Sequence, residues 1–348
     1  MGARTQRNNR RPRTTGVFAV QQREQANARP VLEGTTGWDA PGWGRSELLR
    51  KIQKMVGKLL KLMVLIALVA FAAGGRACAS SKDNCYYGEG QANRNLAEFQ
   101  IRISANPDWK DSGDQACRAV VLDKNQKTIF SAEDERFSIE LAGQDVNGDG
   151  VPDVVIYGYS GGAHCCWTYY IISLGEHAGL IAKFENGRDA AFVKDDETGR
   201  FYISTLDGAF DYFDGLCHAC TPFPQVFLRI EGKTVVDMGP KFVEAYDTII
   251  QENRASLKAE DAAAIAAMKT NPNESESSDV YEAAAKVLSI VFAYLYSGRE
   301  GQALHELRTM WPKSDQDRVW HLIQKQRREG ILRYVNGSSP SLPALRHR

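Results

Sequence analysis

Between residues 97 and 238 the apolar positions come in short runs, many alternating with polar ones, and turn-forming clusters separate the runs. Alternation with period two, rich in β-branched and aromatic residues, predicts strands. The expected strands are 98–104, 118–123, 128–131, 136–141, 153–158, 166–174, 180–184, 191–194, 201–205, 225–230 and 234–238. Asp123-Lys124-Asn125-Gln126, Glu185-Asn186-Gly187 and Glu231-Gly232-Lys233 supply turn chemistry between them. Many short strands at near-regular spacing predict an antiparallel all-β unit, either a sandwich, a barrel or a propeller-like assembly. Three stretches echo one another: 120–130 (VVLDKNQKTIF), 226–236 (VFLRIEGKTVV) and 170–184 (YIISLGEHAGLIAKF). Each reads as a hairpin.

From 240 onward the period lengthens. Within 279–296, Val280, Ala284, Val287, Leu288, Val291, Phe292 and Leu295 share one helical face. Asp279 and Glu282 have the spacing of a capping box, and Gly298 that of a C-terminal stop. Further helices are expected at 241–253, 257–269, 300–311 (halted by Pro312) and 315–329 (halted by Gly330). The polar stretch 271–278, NPNESESS, reads as a linker. The chain as a whole is therefore expected to be α+β. A β-rich domain at 80–239 precedes an all-α domain at 240–335, and a Ser/Pro-rich tail at 336–348 lacks structure. The stretch AYLYSGREGQALHELRTMWP resembles one tetratricopeptide-type helical hairpin, with Tyr294, Gly298 and Ala303 in matching places.

The N-terminal pattern concerns the compartment. After Met55, the basic Lys58 and Lys61 precede an apolar run at 62–73, followed by Ala77-Cys78-Ala79. This is the layout of a secretory signal peptide at 55–79, with an A-x-A cleavage site. An uncleaved signal anchor is the alternative, although a bilayer span takes about 20 apolar residues. Residues 1–54 are rich in Arg, Asn, Gln and Gly and show no apolar period. They are expected to be disordered, or to precede a translation start at Met55 or Met63. The expected location is periplasmic or secreted, with membrane contact only through the transient signal peptide.

Charge narrows the partners. The chain holds 43 Lys/Arg and 43 Asp/Glu, a formal net charge of zero. The balance is uneven: residues 80–239 carry 14 Lys/Arg against 25 Asp/Glu, a net of −11. Such a segment does not suit nucleic acid and does suit a cation.

The candidate cation site is 145–155, DVNGDGVPDVV. Asp145, Asn147 and Asp149 stand at loop positions 1, 3 and 5. Gly150 follows at the turn, Val151 offers a carbonyl, and Asp153 stands at position 9. Hard oxygen donors at alternating positions are the calcium-loop pattern. Position 12 is Ile156 and a strand follows, so the loop is not an EF-hand. The segment DVNGDGVPDVVIYG resembles the calcium loops of FG-GAP/VCBS-type repeats. That resemblance implies a calcium ion held between two strands of a propeller blade. The adjoining SGGAHCCWTYY resembles a segment of exported bacterial proteins. An ion-free Asx/Gly turn is the other reading.

Six cysteines follow the expected cleavage site: Cys85, Cys117, Cys165, Cys166, Cys217 and Cys220. An even number in an exported chain predicts disulfides. Cys165 and Cys166 are adjacent at a strand start, so their side chains should diverge and reach Cys217 and Cys220 separately. Cys85–Cys117 is then the third bridge. A local Cys217–Cys220 bond is the alternative. Cys217-His218-Ala219-Cys220 is also open to a metal reading, with His164, Cys165 and Cys166, and to a redox reading. Asp207, Asp211 and Asp214 form an acidic–aromatic cluster, read first as a polar loop carrying aromatics into the core, with paired carboxylates of a glycosidase as the other reading. The expectation is an exported calcium-binding protein with a binding or scaffold role at the bacterial envelope, its partner an envelope protein or glycan. The alternative is a hydrolase of glycans or peptidoglycan.

Overall fold

A computed structural model describes residues 84–109, 115–162, 166–267 and 278–336. The extension at 1–54, the signal segment at 55–79 and the tail from 337 lie outside the described residues. Strands come first: β1 (Asn84–Tyr86), β2 (Ala92–Leu96), β3 (Phe99–Ala105), β4 (Cys117–Leu122), β5 (Thr128–Asp134), β6 (Arg136–Gln144) and β7 (Asp153–Tyr159). They continue with β8 (Trp167–Ser173), β9 (Gly179–Asn186), β10 (Ala190–Lys194), β11 (Phe201–Leu206), β12 (Gln225–Glu231) and β13 (Thr234–Asp237). Helices follow: α1 (Val243–Ser256), α2 (Ala259–Ala267), α3 (Ser278–Tyr296), α4 (Glu300–Met310) and α5 (Gln316–Glu329). The change of period near 240 coincides with the change from strands to helices. Among the described residues, no helix is long and apolar enough to cross a membrane.

The strands form three sheets in chain order: β2-β3-β4-β5, then β1-β6-β7-β8-β9, then β10-β11-β12-β13. Leaving β1 aside, each sheet is a meander of four consecutive antiparallel strands. The three echoing stretches are hairpins in equivalent places. β4–β5, β8–β9 and β12–β13 are the third and fourth strands of their respective meanders. The expected strand set omitted β1 and β2, because NCY and ANRNL are short and mostly polar or exposed.

The middle sheet is buried on both faces. Val154, Ile156, Tyr170 and Ile172 point into a core shared with Ile101, Ile103, Val121 and Phe130 of the first sheet. Their neighbours Val155, Tyr169 and Ile171 point the other way, into a core shared with Ile203 and Leu228 of the third sheet. That second core runs on into the helices through Val287, Phe292 and Leu295 of α3. This is why β7 and β8 read as continuous apolar runs rather than as alternations.

Helix α3 buries the expected face and also Ala283, Ile290, Ala293 and Tyr296. It packs against α1, α2 and α4 and touches β12. It begins at Ser278, one residue before the expected cap, and Glu282 pairs with Lys286 instead of capping. Gly298 ends it with φ +81°, while the Arg299 N–H reaches back to the Tyr294 carbonyl. One buried carboxylate ties strands to helices. Asp207, at the end of β11, accepts hydrogen bonds from the Tyr296 hydroxyl at 2.7 Å and the Ile331 N–H at 3.3 Å. Gly330 lies so close that a Cβ there would sit 2.3 Å from an Asp207 oxygen.

Double burial of the middle sheet has a testable signature. Ile171→Ala and Ile172→Ala, adjacent in sequence, open cavities in two different cores. Each is expected to cost about 2–5 kcal/mol in urea denaturation. A sheet with one wet face would show the loss at only one of the two.

Candidate functional site

The 145–153 loop joins β6 to β7 at one end of the middle sheet. Its side chains organise the loop's own backbone. Asp145 accepts from the N–H groups of Gly148 (2.7 Å), Asp149 (3.1 Å) and Gly150 (2.8 Å). The Asn147 side-chain oxygen accepts from the Asp149 N–H, and Asp149 accepts from the Val151 N–H and the Asn147 amide. Gly148 and Gly150 take the left-handed φ of +79° and +82° that such a curl requires.

Asp153 is different. It is fully buried, and one carboxylate oxygen accepts from the Val146 and Asn147 N–H groups at 2.8 and 3.3 Å. The other oxygen, Oδ1, is buried without a hydrogen-bond partner. Burial pushes the Asp153 carboxyl up to about 6, and the Asp149 and Asp145 charges add to the rise. An orphaned carboxylate oxygen amid other carboxylates is what a hard cation would satisfy. The donor set fits calcium: Asp145, Asn147, Asp149, Asp153 and the Val151 carbonyl supply oxygen alone. Among the described residues, no three acidic, His or Cys side chains stand together as a preassembled metal cluster. All four side chains spend oxygens on the loop's own N–H groups.

The loop also braces two sheets. The Asn147 amide donates to the Gly232 carbonyl in the β12–β13 turn at 3.1 Å. Arg200, ahead of β11, donates to the Asn147 carbonyl at 3.4 Å and lies against Gly148. Both partners were missed in the sequence. They lie 53 and 85 residues away from Asn147, and no local pattern marks them.

The acidic–aromatic segment does not assemble a pair of free carboxylates. Asp207 is buried under Tyr296, and desolvation raises its carboxyl above the usual range. Asp211 faces His218 Nδ1 at 2.7 Å. Asp214 holds Arg318 through two bonds of 2.6 and 2.8 Å. Each carboxylate thus serves a different partner, and the glycosidase reading gains no geometry.

Cys85 and Cys117 are bonded, as expected, tying β1 of the middle sheet to β4 of the first. The expected bridges from Cys165 and Cys166 to Cys217 and Cys220 are overturned. Cys217 and Cys220 bond each other, with Cα atoms 4.9 Å apart. The chain curls back at this point: the Cys220 and Thr221 N–H groups both reach the Cys217 carbonyl at 2.9 Å. That turn brings the sulfurs within bonding reach locally. Bonded to each other, these two offer no thiolate to a metal. Cys166 is itself disulfide-bonded, and Cys165 and His164 lie outside the described residues.

No protein-family model matches the chain, and no curated protein matches it.

Two measurements check this geometry. The Cys85–Cys117 bridge spans 32 residues and Cys217–Cys220 only 3. Loop-closure entropy then predicts a loss of ~3–4 kcal/mol for the C85A/C117A pair and ~1.5–2 kcal/mol for C217A/C220A. The second measurement concerns pH. With Asp153 raised to about 6, the folded chain binds this proton more readily than the unfolded one. In chelator, its contribution is therefore most favourable near pH 4. It should be lost as pH rises toward 6, at about 1.4 kcal/mol per unit. Melting temperature against pH, compared with Asp153→Asn, reads the difference.

Proposed function

We propose that this is an exported calcium-binding β protein that serves as a binding or scaffold component at the bacterial envelope. The observation that carries the reading is Asp153 Oδ1, buried without a partner inside a loop whose other oxygens alternate as a calcium loop requires. The role of the ion is structural. It offsets the repulsion among Asp145, Asp149 and Asp153, and it fixes the loop that bridges the middle and third sheets through Asn147. The loop's position between the first two strands of a meander supports kinship with FG-GAP/VCBS-type blades. The three successive four-stranded meanders, starting at Ala92, Arg136 and Ala190, support propeller-type stacking of those blades.

Export is supported by the disulfides and by the signal-like segment at 55–79. A binding role is favoured over hydrolysis because the three candidate carboxylates are each engaged elsewhere.

Calcium should raise the melting temperature of chelator-treated protein, and chelation should lower it again. A ligand that binds only the folded chain adds ~2.7 kcal/mol at a hundredfold excess over its dissociation constant. Asp149→Ala should remove the response. A melting temperature indifferent to both calcium and chelator would sink the reading.

A further inference from the structure

Two disulfides have both cysteines among the described residues, and they differ in what bears on reactivity. Cys85 and Cys117 are fully buried, and their bond joins two sheets across 32 residues. Cys217 and Cys220 are 3 residues apart. Cys217 is exposed, and Cys220 is half-buried against the core. Exchange begins when a thiolate reaches a disulfide sulfur, so access decides which bond reacts.

The loop at 217–220 does not need its bond to keep its shape. The Cys220 and Thr221 N–H groups and the Thr221 hydroxyl all donate to the Cys217 carbonyl, each at 2.9 Å. His218, between the cysteines, is anchored by Asp211 at 2.7 Å and by Arg188 at 3.3 Å. Upstream, Tyr212 and Asp214 take left-handed φ of +53° and +51°, a strained state for residues with side chains. Buried Phe213 between them and the paired bonds from Arg318 to Asp214 pin that lead-in. A bond over so few residues also restricts the unfolded chain little. Opening it therefore leaves the fold standing.

The two sulfurs are not equivalent. The Cys220 N–H is shared with Cys217 Sγ, 3.1 Å away. A hydrogen bond donated to a thiolate favours the charged form. Cys217 is thus both the sulfur that a partner can reach and the one whose thiolate the loop receives.

We propose that Cys217–Cys220 is a thiol–disulfide exchange site, which accepts two electrons from a dithiol while the fold stays intact. A partner thiolate attacks Cys217 Sγ. The Cys217–Cys220 bond breaks, a mixed disulfide forms at Cys217, and Cys220 leaves as a thiolate and takes up a proton. The partner's second thiolate then attacks the partner sulfur of the mixed disulfide. Cys217 is released as a thiolate into the hydrogen bond from the Cys220 N–H. The partner ends as a disulfide and this chain as a dithiol. Two electrons pass, and the partner's two protons go to Cys220 and to Cys217 or the solvent. The site goes beyond the binding role above and uses no part of the calcium loop.

The test exposes the full oxidised chain to dithiothreitol under native conditions. Samples are quenched with an alkylating reagent over time, and the modified cysteines are mapped by mass spectrometry. Cys217 and Cys220 should be alkylated about a hundredfold or more faster than Cys85 and Cys117, whose sulfurs wait on opening of the core. With Cys217 and Cys220 reduced and Cys85–Cys117 intact, the chain should stay folded and melt about 3–8 °C lower. Single variants assign the two roles. Cys220→Ser, given oxidised glutathione, should form the mixed disulfide at Cys217 about tenfold or more faster than Cys217→Ser forms it at Cys220. Reduction of Cys217–Cys220 no faster than that of Cys85–Cys117 overturns the proposal. So does unfolding when the bond opens, and so does a mixed disulfide that forms at Cys220 as fast as at Cys217. The reduction time course needs no substitution, so it decides even where a variant fails to fold.

Discussion

The middle sheet must be apolar on both faces, and most of the molecule follows from that. β7 and β8 carry side chains into two cores at once: Val154 and Ile156 into one, Val155 and Ile171 into the other. A strand in that position has no wet side along its length on which to carry charge. Polar chemistry is therefore displaced to the strand ends. At one end stands Asp153, the first residue of β7, with the loop before it. At the other stand Arg136, Tyr159 and Trp167. The order of chemistry along the sheet is a consequence of its burial.

Apolar packing alone leaves stacked sheets free to slide, because it is not directional. The seams here carry directional contacts. Cys85–Cys117 pins the first sheet to the middle one. The Asn147 amide on the Gly232 carbonyl, and the Asn186 amide on the Thr205 hydroxyl at 2.9 Å, pin the middle sheet to the third. Asp207 pins the third sheet to α3 through Tyr296. Asp207 is costly to bury, as its raised carboxyl shows. Its three donors, the Tyr296 hydroxyl and the Ala209 and Ile331 N–H groups, compensate that cost and fix one arrangement.

What was legible in the sequence was local. The strand periods, the switch near 240 and the burial face of α3 all repeat over a few residues, and each appears in the fold. The hairpin echoes were legible too, although only the sheet order reveals that they are equivalent strands of three meanders. Long-range pairings were not legible. Cys217 was expected to reach a strand far off in sequence, yet a tight turn at 217–221 satisfied it locally. Arg200 and Gly232 carry no mark of their contact with Asn147. Tyr157 and Tyr159 share a face within β7, but only the register places Trp167 and Tyr169 of β8 and Arg136 of β6 beside them.

The buried polar atoms left unpaired fall at both ends of the middle sheet: Asp153 Oδ1 at the loop end, Glu135 Oε2 and Arg136 Nε at the other. Native interiors satisfy nearly all such atoms, so an exception marks a position completed from outside or one under strain. Asp153 Oδ1 is an acceptor beside the Asp145 and Asp149 charges, a position that a proton or a bound cation would relieve. Arg136 lies against the Tyr86 and Tyr157 rings and Arg188 over the Phe223 ring, each with its Nε unpaired. Arg229 on β12 is buried with the same unfilled Nε, but it belongs to the third sheet and to neither end of the middle one. A bound cation at the loop would reduce the acidic excess of the domain by two charges. That would lower the repulsion any anionic partner meets on approach. Such an effect fades beyond the ~8 Å screening length of physiological salt. It therefore acts on the rate of encounter at low ionic strength and contributes little to affinity in the cell.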